Sequence, residues 1–303
     1  MDQVIDAIAT YADLTERPNF RASLSFHPKT ARHFGAVVAP YRFLDRIPCG
    51  IESCHTPHLS GYLITTSDGL ETAIGSHCGR KHFGTSFSKE KKRVNDAVDR
   101  QRRIKLVKGM LDDMAAHLVV IEELERHYKD LNDKKNRLIG AIDIRLYTVI
   151  KQRADRGQED ITKEVPMTKQ EAVSYFETSN RKANDGKGWP TKSVFLARLD
   201  GMAFIRARPK EMLVTTLIEP MRALSKMGPA DIEAMKRREL TSIAKWVGDV
   251  PKSIEMAQAV VEAGHKFFHS ENIAKLVHLG ASPSTLAVMI SDLRDEEERS
   301  IAA

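Results

Sequence analysis

Cysteine is scarce in this chain: the 303 residues include only three. An odd number of cysteines in a chain of this length cannot form the disulfide framework that small secreted proteins use. The count therefore argues against a disulfide-stabilised protein and predicts a reducing, cytoplasmic environment. The composition as a whole suits a protein of bacterial or phage type.

Long apolar runs are also missing, and Leu118–Ile121 is typical of those present. Because a helix needs about 20 apolar residues to cross a bilayer, the sequence predicts no membrane association. The start, MDQVIDAIATYADL, carries acids and lacks the basic region of a signal peptide. Aromatic residues make up 6% and charged residues 29% of the chain. This balance favours a mainly α fold.

The common catalytic motifs are absent. The chain has no Walker A sequence, no G-x-G-x-x-G after a predicted strand, no G-x-S-x-G and no H-E-x-x-H. These absences favour a non-enzymatic role. One enzymatic alternative is a metal-dependent nuclease, in which His55, His58 or His77 holds a catalytic Mg²⁺. The helix after Cys78 would then contribute further polar groups from His82, Asn95 and Asp96.

What the chain does contain is a short segment with a strong hairpin pattern. Tyr62–Thr66 and Leu70–Ile74 are rich in β-branched and apolar residues, and Asp68-Gly69 lies between them. Asp-Gly is a favoured tight turn between two strands. The pattern predicts a β-hairpin over residues 61–75.

All three cysteines flank this hairpin. Cys49 and Cys54 precede it with the spacing C-x4-C, and Cys78 and His82 follow it with the spacing C-x3-H. Two pairs of thiolate and imidazole ligands around a small β unit are typical of a tetrahedral, structural zinc site. We therefore predict Zn²⁺ bound by these four residues, with Cys78 and His82 on one face of a helix.

The order of these parts resembles the treble-clef zinc finger, which is a fold group and not a single family. The loop pair is CGIESC, the hairpin is YLITTSDGLETAI and the helical pair is CGRKH. The resemblance covers about residues 47–95. It departs from the usual pattern in the x4 spacing of the first pair and in the histidine at the last position.

Other histidines are alternative ligands. His58 repeats the C-x3-H spacing after Cys54, while His55 and His77 are adjacent to cysteines. The plainer interpretation is three buried thiols near unrelated surface histidines, without any metal. Because random placement would rarely put all three cysteines around one hairpin, we favour the metal site.

Positive charge is concentrated directly after the predicted site. The chain carries a net charge of +6, whereas residues 80–108 hold eleven lysines or arginines and three acids. Such a basic helix suits a phosphate backbone, although charge runs are often only solvated faces. The candidate contacts are Arg80, Lys81, Lys89, Lys92, Arg93, Arg100 and Arg103.

A second basic stretch surrounds one of the two tryptophans. Residues 181–210 hold eight bases and two acids, with Lys187 and Trp189 in a Gly/Asn/Lys loop. Trp189 could stack on a nucleic-acid base. The alternative is that its indole covers the helical core.

Residues 88–156 contain no proline, and apolar residues recur in steps of three and four. Two structures fit this pattern. One unbroken helix would span roughly 100 Å, and a helical hairpin would turn near Asn132. We favour the unbroken helix, which could form a coiled coil and dimerise.

The remaining sequence predicts a linker and a helical bundle. Residues 156–167 are polar and end near a proline, which suits a linker, while SVFLARLDGMAFI fits either a hairpin or a helix. Helices are predicted at about 209–226, 229–247, 251–264, 270–279 and 283–294. The predicted domains are residues 1–48, the zinc module 49–87, the long helix 88–156 and the helical domain 168–303.

Two functions from different classes follow. The first is a non-enzymatic, zinc-containing nucleic-acid-binding protein, in which the metal orients a basic helix. The second is a protein-interaction or inhibitor module that uses the zinc module and the long helix as its scaffold. The sequence distinguishes neither DNA from RNA nor nucleic acid from a protein partner.

Overall fold

A computed structural model describes residues 5–27, 32–179, 186 and 188–302. Its residues divide into two compact units, and each is formed by two separate stretches of chain. The first unit comprises Met1–Asp112 and Met227–Gly248, and the second comprises Asp113–Lys226 and Asp249–Ala303. The fold is mainly α with a small antiparallel β module near the N-terminus, which confirms the predicted fold class.

The first unit is built around a three-stranded antiparallel sheet of order β1-β2-β3. The elements are β1 (Phe34–Ile47), β2 (His58–Thr66), β3 (Glu71–Gly75), the short helix α1 (Ala12–Thr15) and the long helix α2 (Ser76–Asp112). Helix α8 (Pro229–Ala234) and the start of α9 (Arg237–Phe267) complete the unit. Buried side chains lie on both faces of the sheet, with Phe87 and Val94 of α2 on one and Leu14 of α1 on the other.

The predicted hairpin is present. Strands β2 and β3 pair from Gly61–Gly75 to Thr65–Glu71, and Thr66 N–H donates to the carbonyl of Leu70 across the turn. Gly69 has a φ of 78°, a value that glycine adopts without strain. The Asp-Gly pair therefore forms the turn for the reason that the sequence indicated.

Strand β1 is long and passes through a proline. It runs for 14 residues through Pro40, which pairs with Tyr62 of β2. Because β1 is an edge strand, the missing N–H of proline removes no hydrogen bond from the centre of the sheet. The register shifts between Phe34 and Ala39 and again after Arg42, so bulges bend the strand.

The helical tract at residues 88–156 is not one continuous helix. Helix α2 changes direction at Gly84 (φ 58°, ψ −129°) and ends at Asp112. It is followed by α3 (Met114–Ala141) and α4 (Ile144–Asp155). Asn132 lies inside α3, so the predicted alternative turn is also wrong. The break between α3 and α4 arises because Asp143 is extended and caps α4. Its carboxylate accepts a hydrogen bond from Arg145 N–H at 2.7 Å.

The second unit contains α3, α4 and a two-stranded antiparallel sheet. Its other elements are β4 (Asp160–Pro166), α5 (Lys169–Thr178), β5 (Thr191–Arg198), α6 (Met202–Arg206), a π-helical segment (Lys210–Ile218), α7 (Glu219–Leu224), the later part of α9, α10 (Ser270–Ala274), a 3-10 helix (Lys275–Leu279) and α11 (Pro283–Ala302). The segment interpreted as a linker therefore contains strand β4.

The ambiguous segment around Asp200-Gly201 is a strand followed by a helix. Gly201 has a φ of 70° and begins α6, and a Cβ there would lie 2.1 Å from the carbonyl oxygen of Ala263. The buried amide of Asn272 holds the turn, since it accepts from Asp200 N–H and donates to the Asp200 and Phe267 carbonyls. The close approach of Gly201 to the Ala263 carbonyl, together with its positive φ, explains why the turn needs glycine.

Helix α9 corrects another boundary. Two helices were expected, one ending near 247 and one beginning at 251, but α9 is continuous and contains Pro251. A proline costs a helix one hydrogen bond and need not end it when the surrounding structure supports both sides. None of the helices in the described part of the chain combines the length and apolar character that a bilayer crossing requires.

Candidate metal centre

The three cysteines converge in the first unit. Cys49 follows β1, Cys54 lies in the next turn and Cys78 is in the first turn of α2. Their sulfur atoms all lie within 4.8 Å of one another, and those of Cys54 and Cys78 are 3.3 Å apart. Cys49 and Cys78 are buried, whereas Cys54 is half-buried. The geometry confirms that the residues flanking the hairpin form one cluster.

Backbone hydrogen bonds shape the loop that carries the first two cysteines. Cys49 N–H donates to the carbonyl of Thr56 at 3.2 Å, and Cys54 N–H donates to that of Ile51 at 2.8 Å. Gly50 N–H donates to the Ala73 carbonyl of β3 at 2.8 Å. A Cβ at Gly50 would lie 1.9 Å from Thr72 Oγ1, so this close contact with the hairpin requires glycine.

The thiols of the cluster differ in acidity. The Thr56 hydroxyl, 3.3 Å from the sulfur, and the Thr56 N–H lower the pKa of Cys54 to about 7. Burial and the hydrogen bond with Cys54 raise the pKa of Cys78 to about 12, and burial also raises the pKa of Cys49. A divalent cation bound at the cluster would lower the pKa of all three thiols, because metal binding favours the thiolate form.

The donor set fits a thiophilic metal ion. Sulfur ligands 2.3 Å from a tetrahedral centre are separated by about 3.8 Å, which a cluster contained within 4.8 Å satisfies with small adjustments. All three cysteines are free thiols. The cluster therefore could hold a metal ion, with the loop, the hairpin and the start of α2 as its walls.

The fourth ligand remains a prediction. Among the described residues, no histidine or carboxylate has a ligand atom within 4.8 Å of all three sulfurs. His82 lies one helical turn after Cys78, with an exposed side chain near the ring of Phe83. His55 and His77 are also exposed, and His55 has a positive φ of 48°.

His58, the other alternative ligand, has both ring nitrogens in hydrogen bonds. Nε2 is 2.7 Å from the hydroxyl of Tyr41, and Nδ1 is 3.1 Å from the carbonyl of Thr56. Coordination would therefore require one of these contacts to break. The predicted ligand His82 lies on the same helix as Cys78, four residues after it, whereas His77, on that helix too, is adjacent to Cys78.

The predicted nucleic-acid contacts on α2 fall into two groups. Arg93 pairs with Glu90 and donates to the Val37 carbonyl, and Arg100 donates to the carbonyls of Glu233 and Met235. The second group forms no ion pair or side-chain hydrogen bond with any described residue: Arg80, Lys81, Lys89, Lys92 and Arg103. All of this second group except Arg103 are exposed.

A cleft of about 360 Å³ collects part of this charge at the start of α2. Arg80 and Lys92 line it together with Lys91, Asn95 and Asp96. Lys91 also donates to Ser76 Oγ at 2.6 Å and lies over the ring of Tyr62, while Asn95 bonds the Tyr62 hydroxyl. Lys91 was not among the predicted contacts, although its spacing of four from Asn95 could have indicated a shared face.

The second basic stretch is only partly described. Lys187 lies outside the described residues. Trp189 is 54% exposed, and its indole N–H donates to the Met167 carbonyl at 2.6 Å, next to strand β4. The indole, more than half exposed, therefore does not fill the helical core.

The polar groups considered for a nuclease have other partners. Asp96 forms two hydrogen bonds with Arg237, at 2.8 and 3.0 Å, and Asn95 is bonded to Tyr62.

No family model, curated protein or solved structure matches this chain.

Proposed function

We propose that this chain is a non-enzymatic, zinc-containing nucleic-acid-binding protein. One observation carries the proposal. The exposed bases at the start of α2 have no partner among the described residues, and they follow directly after the three-cysteine cluster. Other bases of α2, such as Arg93 and Arg100, are hydrogen-bonded or ion-paired within the first unit and have structural roles there.

Zinc would be held by Cys49, Cys54 and Cys78, with His82 proposed as the fourth ligand. Its contribution would be structural, because a site with four protein ligands leaves no open position for substrate. Binding would tie the loop after β1 to the first turn of α2. The direction in which the basic helix leaves the sheet would then depend on the metal.

The unpaired bases would bind phosphates. Arg80 and Lys92 line one cleft with Lys91 and Asn95, which combines charge with neutral hydrogen-bond donors. Lysine and arginine that neutralise phosphates release counterions, so affinity falls steeply as salt rises. No base-reading group is assigned, and the proposal is therefore for backbone-dominated binding.

The test is a binding titration with fluorescein-labelled single-stranded DNA, duplex DNA and RNA, measured by anisotropy between about 50 and 200 mM KCl. The double variant Arg80→Gln/Lys92→Gln should weaken binding at least about tenfold and reduce the salt slope by about 2. The matched control is the single variant Lys236→Gln, an exposed lysine of the first unit outside α2, and it should change little. Failure to bind any of the three probes would overturn the proposal.

The metal is tested separately. Purified protein should contain about one zinc per chain by mass spectrometry of the metal content, and Cys78→Ser should lose it. A zinc content far below one per chain in protein purified without chelator would exclude the zinc site and leave the nucleic-acid titration to be judged alone.

A protein partner is the second candidate, favoured by a different observation. Three consecutive residues of β5 are unusually exposed for apolar side chains: Val194 at 37%, Phe195 at 59% and Leu196 at 38%. Successive side chains point to opposite faces of a strand, so both faces of β5 present apolar surface. Light scattering after gel filtration tests it, since Phe195→Ser should abolish any self-association that the wild-type chain displays.

A further inference from the structure

The second unit contains a cavity of about 420 Å³ that lies far along the sequence from the cysteine cluster. Helices α3 and α4 contribute part of the lining, and α6 with the chain that follows it contributes the rest. The volume is in the range of small-molecule sites. The cavity goes beyond the function proposed above, which depends on the first unit.

Its lining is strongly basic. Four cationic residues contribute to it: Lys135, Lys151, Arg208 and Lys210. Among the described residues of the lining the one acid is Glu211, which pairs with Arg208 at 3.6 Å. This leaves three lysines that form no ion pair with any residue in the described part of the chain.

Lys135 contrasts with its neighbour in sequence. Lys134 forms ion pairs with Asp130 at 2.9 Å and Glu296 at 2.8 Å. Lys135 is half-buried without a carboxylate partner among the described residues, and Lys151 lies close enough to repel it. Burial and this repulsion lower the pKa of Lys135. A bound anion would relieve both costs.

Neutral groups complete the cavity. Tyr128, Tyr147 and Asn132 line it, and none of their side chains forms a hydrogen bond with another described residue. Phe204 and Ile205 are buried and give the lining an apolar part. Aromatic rings beside cations are the combination that binds a flat ring joined to a phosphate.

We infer that this cavity binds a mononucleotide, with its phosphate at Lys135 and Lys151 and its base beside Tyr128 and Tyr147. The phosphate would balance the positive charge of the lysines in the lining. The tyrosine rings would distinguish a nucleotide from a bare anion. No covalent step is involved.

Isothermal titration of the full chain with AMP, adenosine and pyrophosphate tests the inference. AMP should bind more tightly than either adenosine or pyrophosphate, because only AMP offers both a ring and a phosphate. Lys135→Gln and Lys151→Gln should each weaken AMP binding about tenfold, the usual effect of losing one charge-assisted hydrogen bond. Tyr147→Leu should weaken AMP binding but leave pyrophosphate binding unchanged.

The matched control is Lys169→Gln, which removes an exposed lysine of the same unit that does not line the cavity. Because Lys135 and Lys151 have no native partner among the described residues, their variants should melt no lower than the wild type. Absence of AMP binding, equal affinity for adenosine or pyrophosphate, or an equal loss in the Lys169 control would each overturn the inference. None of these results depends on whether oligonucleotides bind the first unit.

Discussion

The two ends of α2 are both basic, but the basic side chains differ in what they contact within the fold. Both are rich in lysine and arginine, but Arg100 and Lys108 near the C-terminal end bind acceptors in residues 227–248. At the N-terminal end, Arg80 and Lys89 form no ion pair with any described residue. A count of charges therefore overstates the positive surface that is available to a partner. Only bases without an internal acceptor can bind phosphates at no cost to the fold.

The cysteine cluster should make the largest difference between the two ends. Cys78→Ser removes one of the three clustered thiols at the N-terminal end, and the proposed structural zinc would contribute several kcal/mol or more to the stability of the first unit. We expect the unfolding transition of the first unit to be lost or strongly lowered in urea. Ser53→Ala, an exposed position of the same loop, is the control. An unchanged transition in the Cys78 variant would mean that no metal supports this end.

Arg100→Gln tests the paired end. It removes two hydrogen bonds from a charged donor to the carbonyls of Glu233 and Met235, at 2.5 and 3.0 Å. Because the site is partly exposed, we expect the free energy of unfolding to fall by roughly 1–2 kcal/mol. The same change at Lys89 should stay within about 0.5 kcal/mol. Equal losses at both positions, measured by urea unfolding, would remove the distinction between the ends.

Asp96→Asn should raise the affinity for oligonucleotides and lower stability only slightly. The carboxylate lies beside Arg80 and Lys92 in the cleft and is paired with Arg237. Its removal should cost at most about 1 kcal/mol of stability, since the pair is exposed. It should strengthen oligonucleotide binding about two- to fivefold by removing repulsion of phosphates. Weaker binding by anisotropy would contradict the cleft as the contact surface.

The smallest effect concerns pH. The hydrogen bond from Arg93 lowers the pKa of Glu90 below its ordinary value of 4.5. A carboxyl with a depressed pKa stabilises the fold above that value, and its contribution disappears as the pH falls through the lower folded-state pKa. Stability of the wild type should therefore decline more steeply below about pH 4.5 than stability of Glu90→Gln. Parallel curves in urea titrations at pH 3 to 6 would show that this pair contributes nothing.

The features that the sequence predicted correctly depend on residues close together in the chain. The Asp-Gly turn, the strands beside it and the clustering of Cys49, Cys54 and Cys78 depend on a few neighbouring residues, and the structure has them all. Prolines were less informative. Pro40 lies within an edge strand and Pro251 within α9, because flanking contacts outweighed the loss of one hydrogen bond.

Interactions between distant residues were not predictable. Arg100 and Met235 are 135 positions apart, and Asp96 and Arg237 are 141 apart. The break at Asp143 had a local signal, since aspartate is a favoured N-cap, but the apolar periodicity continued across it. Strand β4 was missed because its seven residues are mostly polar and it pairs only with β5.

The sequence by itself determined the helical composition, the hairpin and the grouping of three cysteines around it. These features depend on residue type and on short spacings along the chain, and both can be read directly from the sequence. The tertiary structure alone decided which bases of α2 pair within the fold and which form no ion pair with a described residue. It also placed Lys135 and Lys151 in one cavity, where neither forms an ion pair with a described residue. The physical reason is that pairing and desolvation depend on distances in space, and segments far apart in sequence set those distances.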